Sequence, residues 1–285
     1  MTASRVIKKL SALPGRLWRF GKRLYLPIRY SRGYPETLLF ILGCQRSGTG
    51  LVARVFRNDL NSQVFGEFTP MSSQDAVAGI RLDPPDQLRL FLSQLYAPLV
   101  VVKPLVESQN ALSLLGSMEN LKIIWVYRDF RDVVASNLKK FGEAKGLDDI
   151  RPIETGDSGN WRSENVSTRT QEFIRQFYSE GMSPADASAL FWYARNSLYF
   201  EQRLNERPDV LLVAYHKLVK SPQVVMRDIY SYLGKKYPGD YMSREVHRTS
   251  LGKGEAIMLT PEIESHCSEL LERLNKVNQP GMTNG

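Results

Sequence analysis

The stretch Thr37–Gly50, TLLFILGCQRSGTG, leaves this chain the fewest choices of fold. Thr37 to Leu42 is an apolar run with β-branched and aromatic residues, the composition of a buried strand. It breaks at Gly43 into a polar loop that also holds Gly48 and Gly50. A helical pattern then starts at Leu51, with Val52, Val55 and Phe56 on one face. Strand, glycine loop and helix together aim backbone N–H groups and a helix N-terminus at an anion, usually a phosphate. The bland alternative is a glycine turn between a core strand and a core helix.

The loop is informative through its departures. Gly43-x-x-x-x-Gly48 has the P-loop spacing, but Thr49 stands where that motif needs Lys, and Gly50 where it needs the Ser or Thr that holds Mg²⁺. Such a loop is poorly equipped for ATP or GTP hydrolysis. It can still cradle a single 5′-phosphate, with Arg46 adding positive charge. The nucleotide indicated is one whose transferred group is not a γ-phosphate.

Further apolar runs read as strands: Pro98–Val102, closed by Lys103-Pro104, then Lys122–Tyr127, ended by Arg128, and Asp209–Tyr215. Val64-Phe65 is a shorter apolar pair that leads into Gly66-Glu67. Helical patterns fall between them, at Asp83–Leu95, Arg131–Phe141, Thr170–Ser179, Pro184–Leu204 and Ser221–Leu233, and again from Pro261. Lys145–Thr168 is polar with little periodicity and reads as a long loop. Alternating strands and helices predict an α/β fold, a single domain whose P-loop-like central parallel sheet is flanked by helices. Functional groups then collect at the carboxyl ends of the strands, where Gly43–Gly50, Glu67, Lys103 and Arg128 stand.

The 285 residues carry a formal charge of +8, which by itself would suggest a nucleic-acid partner. Its location argues otherwise. Residues 1–35 hold nine Lys or Arg and no acid, and the remainder holds 29 basic and 30 acidic residues. We therefore divide the chain into a basic amphipathic segment, 1–35, and a near-neutral domain, 36–285, with no nucleic acid as partner. In the segment, Val6, Leu10, Leu13 and Leu17 recur at helical spacing, and Pro14-Gly15 separates two short helices. No apolar run is long enough to span a bilayer, and no signal-peptide core is present. The segment fits an anionic membrane surface, an acidic partner, a helix docked on its own domain, or disorder. The two cysteines, Cys44 and Cys267, form neither a metal site nor a disulfide framework, so no metal is expected. A reducing, cytoplasmic setting is expected, with peripheral membrane contact through the tail.

A second anchor is Arg128-Asp129-x-Arg131-Asp132-x-x-x-Ser136. Arg128 ends a strand and Ser136 lies in the second turn of the next helix, so an arginine and a hydroxyl flank a helix N-terminus, a receptor for a second phosphate. Arg131 and Asp132 read instead as a salt-bridged cap. Two phosphate anchors without magnesium ligands suggest a bisphosphorylated nucleotide.

At this point the chain resembles the sulfotransferases that use 3′-phosphoadenosine-5′-phosphosulfate. GCQRSGTG and VYRDFRDVVAS are similar to that family's 5′-phosphosulfate loop and 3′-phosphate motif, and VLLVAYHKLVKSPQVVMRDIYSYLG to its later strand–helix unit. The resemblance spans roughly residues 35–234. It is nearest to the branch that includes protein-tyrosine sulfotransferases and related bacterial enzymes, where the loop reads RSGTT and a GE pair follows. Here Glu67 follows Arg46 by 21 residues.

The resemblance implies in-line transfer of a sulfuryl group to an acceptor hydroxyl of a carbohydrate, glycolipid, tyrosine or metabolite. It makes Glu67 the general base, with Lys103 and Arg46 as transition-state cations. It implies donor contacts from Arg46, Ser47, Gly48, Thr49, Gly50, Arg128, Ser136 and Tyr215, and weaker ones from Ser250 and Lys253. Simpler readings stay open for several of these: a solvated carboxylate for Glu67, a surface lysine for Lys103, a core ring for Tyr215, a solvated basic loop for Ser250 and Lys253. Gly50 departs from the family's usual Thr, and Tyr215-His216 from its Tyr-Glu. Two other classes remain: a P-loop kinase or NTPase, opposed by the missing Lys and Mg²⁺ hydroxyl, and a membrane- or nucleic-acid-associated binding protein, opposed by the near-neutral domain.

Overall fold

The apolar run that begins at Thr37 becomes the middle strand of a five-stranded sheet. The computed structural model describes residues 15–67, 69–75, 79–104, 106–247 and 251–279. Helix α1 (Gly15–Arg29) leads to strand β1 (Thr37–Gly43) and helix α2 (Thr49–Phe56). Strand β2 (Ser62–Phe65), a ribbon of β3 (Ser72–Asp75) and β4 (Gly79–Leu82), helix α3 (Pro85–Leu92) and strand β5 (Leu99–Val102) follow. Next come α4 (Ala111–Ser117), β6 (Leu121–Tyr127), α5 (Phe130–Phe141), α6 (Ala144–Thr155), α7 (Thr168–Phe177) and α8 (Pro184–Glu201). Strand β7 (Val210–Ala214) and helices α9 (Tyr215–Lys220), α10 (Pro222–Tyr232) and α11 (Pro261–Val277) complete the order.

The sheet runs β2-β5-β1-β6-β7, every pairing parallel. This is the expected α/β architecture of a central parallel sheet flanked by helices. β1 is apolar throughout because both its faces are covered. Leu38, Phe40 and Leu42 point to the layer built around Phe191, Trp192 and Leu198 of α8. Leu39 and Ile41 point the other way, to Val52 and Phe56 of α2 and Met226 and Ile229 of α10. At ~25 cal/mol per Å² of apolar surface, two such faces supply most of what holds the sheet.

Two regions differ from expectation. Lys145–Thr168 is not one long loop: residues through Thr155 belong to α6, and only 156–167 are turns. Gly146 and Pro152 disguise that helix. Gly146 is there for close packing, since a Cβ on it would lie 2.9 Å from the Ser188 amide nitrogen of α8. The stretch after Phe68, which has no readable pattern, contains the β3–β4 ribbon. Arg81 and the Leu82 amide hold this ribbon to the buried Glu107, Arg81 Nε at 2.8 Å and the amide at 3.0 Å from Oε1.

Candidate functional site

The carboxyl ends of β1, β2, β5 and β6 surround a cleft of about 1120 Å³, lined in part by Gly43, Gln45, Arg46, Gly48, Thr49 and Gly50 of the loop and by Arg128, Ser136, Tyr215 and Lys253. Two glycines shape the loop. Gly43 has φ 138°, and a Cβ there would sit 2.2 Å from the Val126 carbonyl oxygen. Gly48 caps α2 with φ 100°, and a Cβ there would sit 2.2 Å from the Tyr215 ring. Both need left-handed backbone and open space, which glycine alone supplies. The Ser108 hydroxyl receives the Gly43 N–H and donates to the Gly43 carbonyl, each at 3.0 Å, which fixes where the loop leaves the strand. Arg46 is itself left-handed, φ 65°.

The loop has the features of an anion cradle. The Ser47 hydroxyl is fully buried and lies within hydrogen-bonding reach of the Cys44 thiol, a weak partner. A buried hydroxyl of this kind costs free energy until a stronger partner accepts from it or donates to it. Thr49 opens α2 with its backbone N–H directed out of the helix end. Burial pushes the Cys44 thiol up to about 12, so it is packing and not a nucleophile.

The second anchor lies beside the first. Arg46 Nε donates to Ser136 Oγ at 2.9 Å, so one guanidinium joins the glycine loop to the second anchor. Arg128 is nearly buried. It pairs with Asp132 at 3.2 Å, donates to the Arg46 carbonyl at 3.4 Å and lies over the Tyr215 ring at 4.7 Å. Tyr215, expected to end a strand, instead opens α9 directly after β7, and its largely buried ring also faces the cleft. The expected Arg131–Asp132 cap is built differently. Asp129 is the cap, accepting from the Arg131 N–H at 2.9 Å, Arg131 pairs with Glu264, and Asp132 serves Arg128. Asp132 also accepts the Gly254 N–H at 3.0 Å, and Gly254 is too close to the Arg131 backbone for a Cβ. That contact brings the exposed Lys253 to the cleft rim. Ser250 falls outside the described residues.

Across the cleft, Glu67 and Lys103 form an ion pair, their side chains 31% and 17% exposed. Strand pairing brings them together: Phe65 opposes Val102 at the ends of β2 and β5, and the Lys103 N–H bonds the Phe65 carbonyl at 2.9 Å. Burial and the nearby Arg46 charge pull the Lys103 ammonium down to about 8. The pairing places a carboxylate and a cation side by side at the cleft wall.

The far wall holds residues that the sequence reading missed. Asp149 of α6, almost fully buried, accepts from Gln45 Nε2 at 3.0 Å and Arg162 Nε at 2.6 Å and pairs with Lys145. Arg162 lies 4.7 Å and Arg195 5.2 Å from the Trp161 ring centre. Arg195 of α8 is 2% exposed, held by Gln109 at 2.7 Å, and burial lowers it to about 10. Its Nη1 is buried without a hydrogen-bond partner, and the residue lines the cleft. Only the i, i+3, i+6 spacing of Leu147, Ile150 and Ile153 hinted at the helix that assembles this wall. Among the described residues no three His, Cys, Asp or Glu side chains are grouped to hold a metal ion.

Residues 36–256 match the family described as the sulfotransferase domain. Similar folds occur among solved structures. The sulfotransferase domain of the Synechococcus PCC 7002 olefin synthase is 14% identical, with a TM-score of 0.49 over 87% of this chain and 98% of that one. A sulfotransferase from Alicyclobacillus acidocaldarius is 15% identical, TM-score 0.47, over 86% and 96%. Mouse sulfotransferase SULT7A1, solved with PAP, is 14% identical, TM-score 0.46, over 89% of each. No protein of curated function matches the chain significantly.

Proposed function

The chain belongs to the sulfotransferase domain family, and from that premise we propose that it moves a sulfuryl group from 3′-phosphoadenosine-5′-phosphosulfate to an acceptor hydroxyl, with Glu67 as general base. The observation that carries this reading is the join between the two anchors. Arg46 belongs to the phosphate loop and bonds Ser136 of the second anchor. A donor with a phosphate at each end of its ribose meets both.

The donor supplies a sulfuryl group attached to a phosphate leaving group. In the transfer the acceptor oxygen bonds to sulfur, the sulfur–oxygen bond to the 5′-phosphate breaks, and adenosine 3′,5′-bisphosphate leaves. Glu67 takes the acceptor's proton. Once protonated it no longer holds Lys103, whose ammonium is then free to follow the charge that gathers on the leaving side. Arg46, the loop amides and the α2 N-terminus hold the phosphate. Little covalent work falls to the protein, so positioning and charge stabilisation carry the rate. Trp161, Phe191 and Arg195 line the same cleft as Glu67 and suit the acceptor.

Calorimetry with adenosine 3′,5′-bisphosphate, AMP and ATP–Mg²⁺ tests the reading. The bisphosphate should bind at least roughly tenfold more tightly than AMP, the worth of one charge-assisted contact set. Equal affinity for the two leaves the Arg128–Ser136 anchor without a ligand and sinks the proposal. Preference for ATP–Mg²⁺ would restore the kinase reading.

A further inference from the structure

Helix α1 is buried on one face and bare on another. Trp18, Lys22 and Leu26 are buried, whereas Phe20, Leu24 and Ile28 are 62%, 56% and 86% exposed. Their four-residue spacing stacks the exposed side chains on successive turns. The docked face is fixed by specific contacts. Trp18 Nε1 and Lys22 Nζ both donate to the Arg57 carbonyl at 3.3 Å, and Lys22 Nζ also reaches Ser62 Oγ at 3.2 Å. Tyr30 OH donates to Asn61 Oδ1 at 2.9 Å, just beyond the helix. To hide Phe20, Leu24 and Ile28 against its own domain, the helix would have to give all of these up.

The charge says what covers that stripe. Arg23 and Arg29 are exposed on the same helix, and residues 1–35 contain nine basic residues and no acidic one. A second copy on this face would bring two such segments together, and like charges repel. Among the described residues no helix is long and apolar enough to cross a membrane. An apolar stripe on a basic helix that lies along a folded surface matches an interfacial helix. We propose that α1 seats this protein on an anionic lipid surface, with Phe20, Leu24 and Ile28 entering the boundary between headgroups and acyl chains. Because α1 is bonded to the turn between α2 and β2, the membrane then holds the whole domain in one orientation. The proposal rests on α1 alone and does not depend on the identity of the donor.

Flotation of the full chain with vesicles tests it, using phosphatidylcholine alone or mixed with phosphatidylglycerol, at low and high salt. The protein should float with the mixed vesicles, bind phosphatidylcholine weakly, and detach as salt rises. The variant Phe20→Ser/Leu24→Ser/Ile28→Ser should lose roughly tenfold or more in partitioning, with an unchanged melting curve, since these side chains are exposed. Arg23→Glu/Arg29→Glu, which leaves the apolar stripe intact, should weaken binding several-fold and flatten its salt dependence. Failure of the unaltered chain to float overturns the proposal. So does equal flotation of the triple-serine variant, which would move the contact elsewhere in the tail. A dimer in sizing chromatography that the triple-serine variant abolishes, without vesicle binding by the parent, would assign the stripe to a second copy instead.

Discussion

The two walls of the cleft are built by different means. The donor wall is mostly backbone: Gly43 and Gly48 in left-handed conformations, a helix end at Thr49, and Gly254 pressed against the Arg131 backbone. The opposite wall is mostly side chains that hold one another. Glu67 pairs with Lys103, and Asp149 gathers Lys145 and Arg162. A backbone cradle suits a ligand that never varies, because amides keep their hydrogen-bonding chemistry whatever side chain is substituted and a Cβ at Gly43 or Gly48 would collide with its neighbours. A wall of paired side chains can be rebuilt residue by residue. Under the proposed function, the first wall takes the donor and the second the acceptor. Single substitutions should therefore separate binding of the donor from turnover and acceptor use.

The sharpest separation is expected at Glu67. Glu67→Gln keeps the shape of the side chain and removes the base, so turnover should fall by about 10²- to 10⁴-fold, the usual worth of general-base catalysis. Adenosine 3′,5′-bisphosphate should bind as before, measured by calorimetry. Full turnover would remove Glu67 from the base role, and lost nucleotide binding would show that the two walls are not independent.

Lys103 comes next, with a pH signature. Its ammonium, normally at 10.5, is lowered to about 8 by burial and by Arg46. It is charged below that value and loses its proton, and its stabilising charge, as pH rises through it. The kcat/KM profile of the free enzyme should accordingly fall on its basic side near pH 8. Lys103→Arg stays charged and should move that limb upward, while Lys103→Met should cost on the order of 10²- to 10³-fold at neutral pH. A basic limb that does not move in Lys103→Arg would assign it to another group.

These residues also show why one wall was easier to read in the sequence than the other. Thr37–Gly50 is contiguous: strand, glycines and helix all follow from local rules, and the residues that touch the ligand are the residues that set the backbone. Arg128 and Ser136 are almost as local, eight positions apart across one strand–helix junction. Glu67 and Lys103 were legible as strand ends, though their pairing with each other required the β2–β5 register. Asp149, Trp161, Arg162 and Arg195 belong to separate elements and meet only through the packing of α6 on α8. Gly146 and Pro152 further hid α6, since both residues ordinarily mark loops and here serve close packing and a late helical turn. The β3–β4 ribbon was invisible for a related reason, because Glu107 holds it from outside its own sequence.

Asp149 tests whether the acceptor wall can be loosened alone. Asp149→Asn removes the charge that holds Lys145 and Arg162, both partly exposed, so the cost in stability should be about 1–3 kcal/mol and not the full penalty of a buried pair. The acceptor KM should rise by several-fold. The affinity for adenosine 3′,5′-bisphosphate should stay within about twofold, because the donor loop is fixed by Gly43, Gly48 and Ser108. A loss of nucleotide affinity as large as the rise in KM would mean that Gln45, which bonds the loop to Asp149, governs the donor site as well.

The smallest expected effect lies within the donor wall itself. Gly50 is exposed, follows the capping glycine in the first turn of α2, and has no atom within 4 Å of where a Cβ would stand. Its φ is not in the left-handed range, unlike those of Gly43 and Gly48. Nothing in the backbone therefore requires glycine here, and Gly50→Thr adds a hydroxyl beside the phosphate without strain. One additional hydrogen bond is worth about 0.5–1.5 kcal/mol. Threonine also replaces glycine in a helix at a gain of a few tenths of a kcal/mol. Calorimetry should show the bisphosphate binding roughly two- to tenfold more tightly to this variant. The same substitution at Gly48 should abolish binding, because its Cβ would enter the Tyr215 ring. If Gly50→Thr instead weakens binding, the phosphate lies closer to α2 than the open space at Gly50 allows, and the backbone cradle is tighter than its glycines alone require.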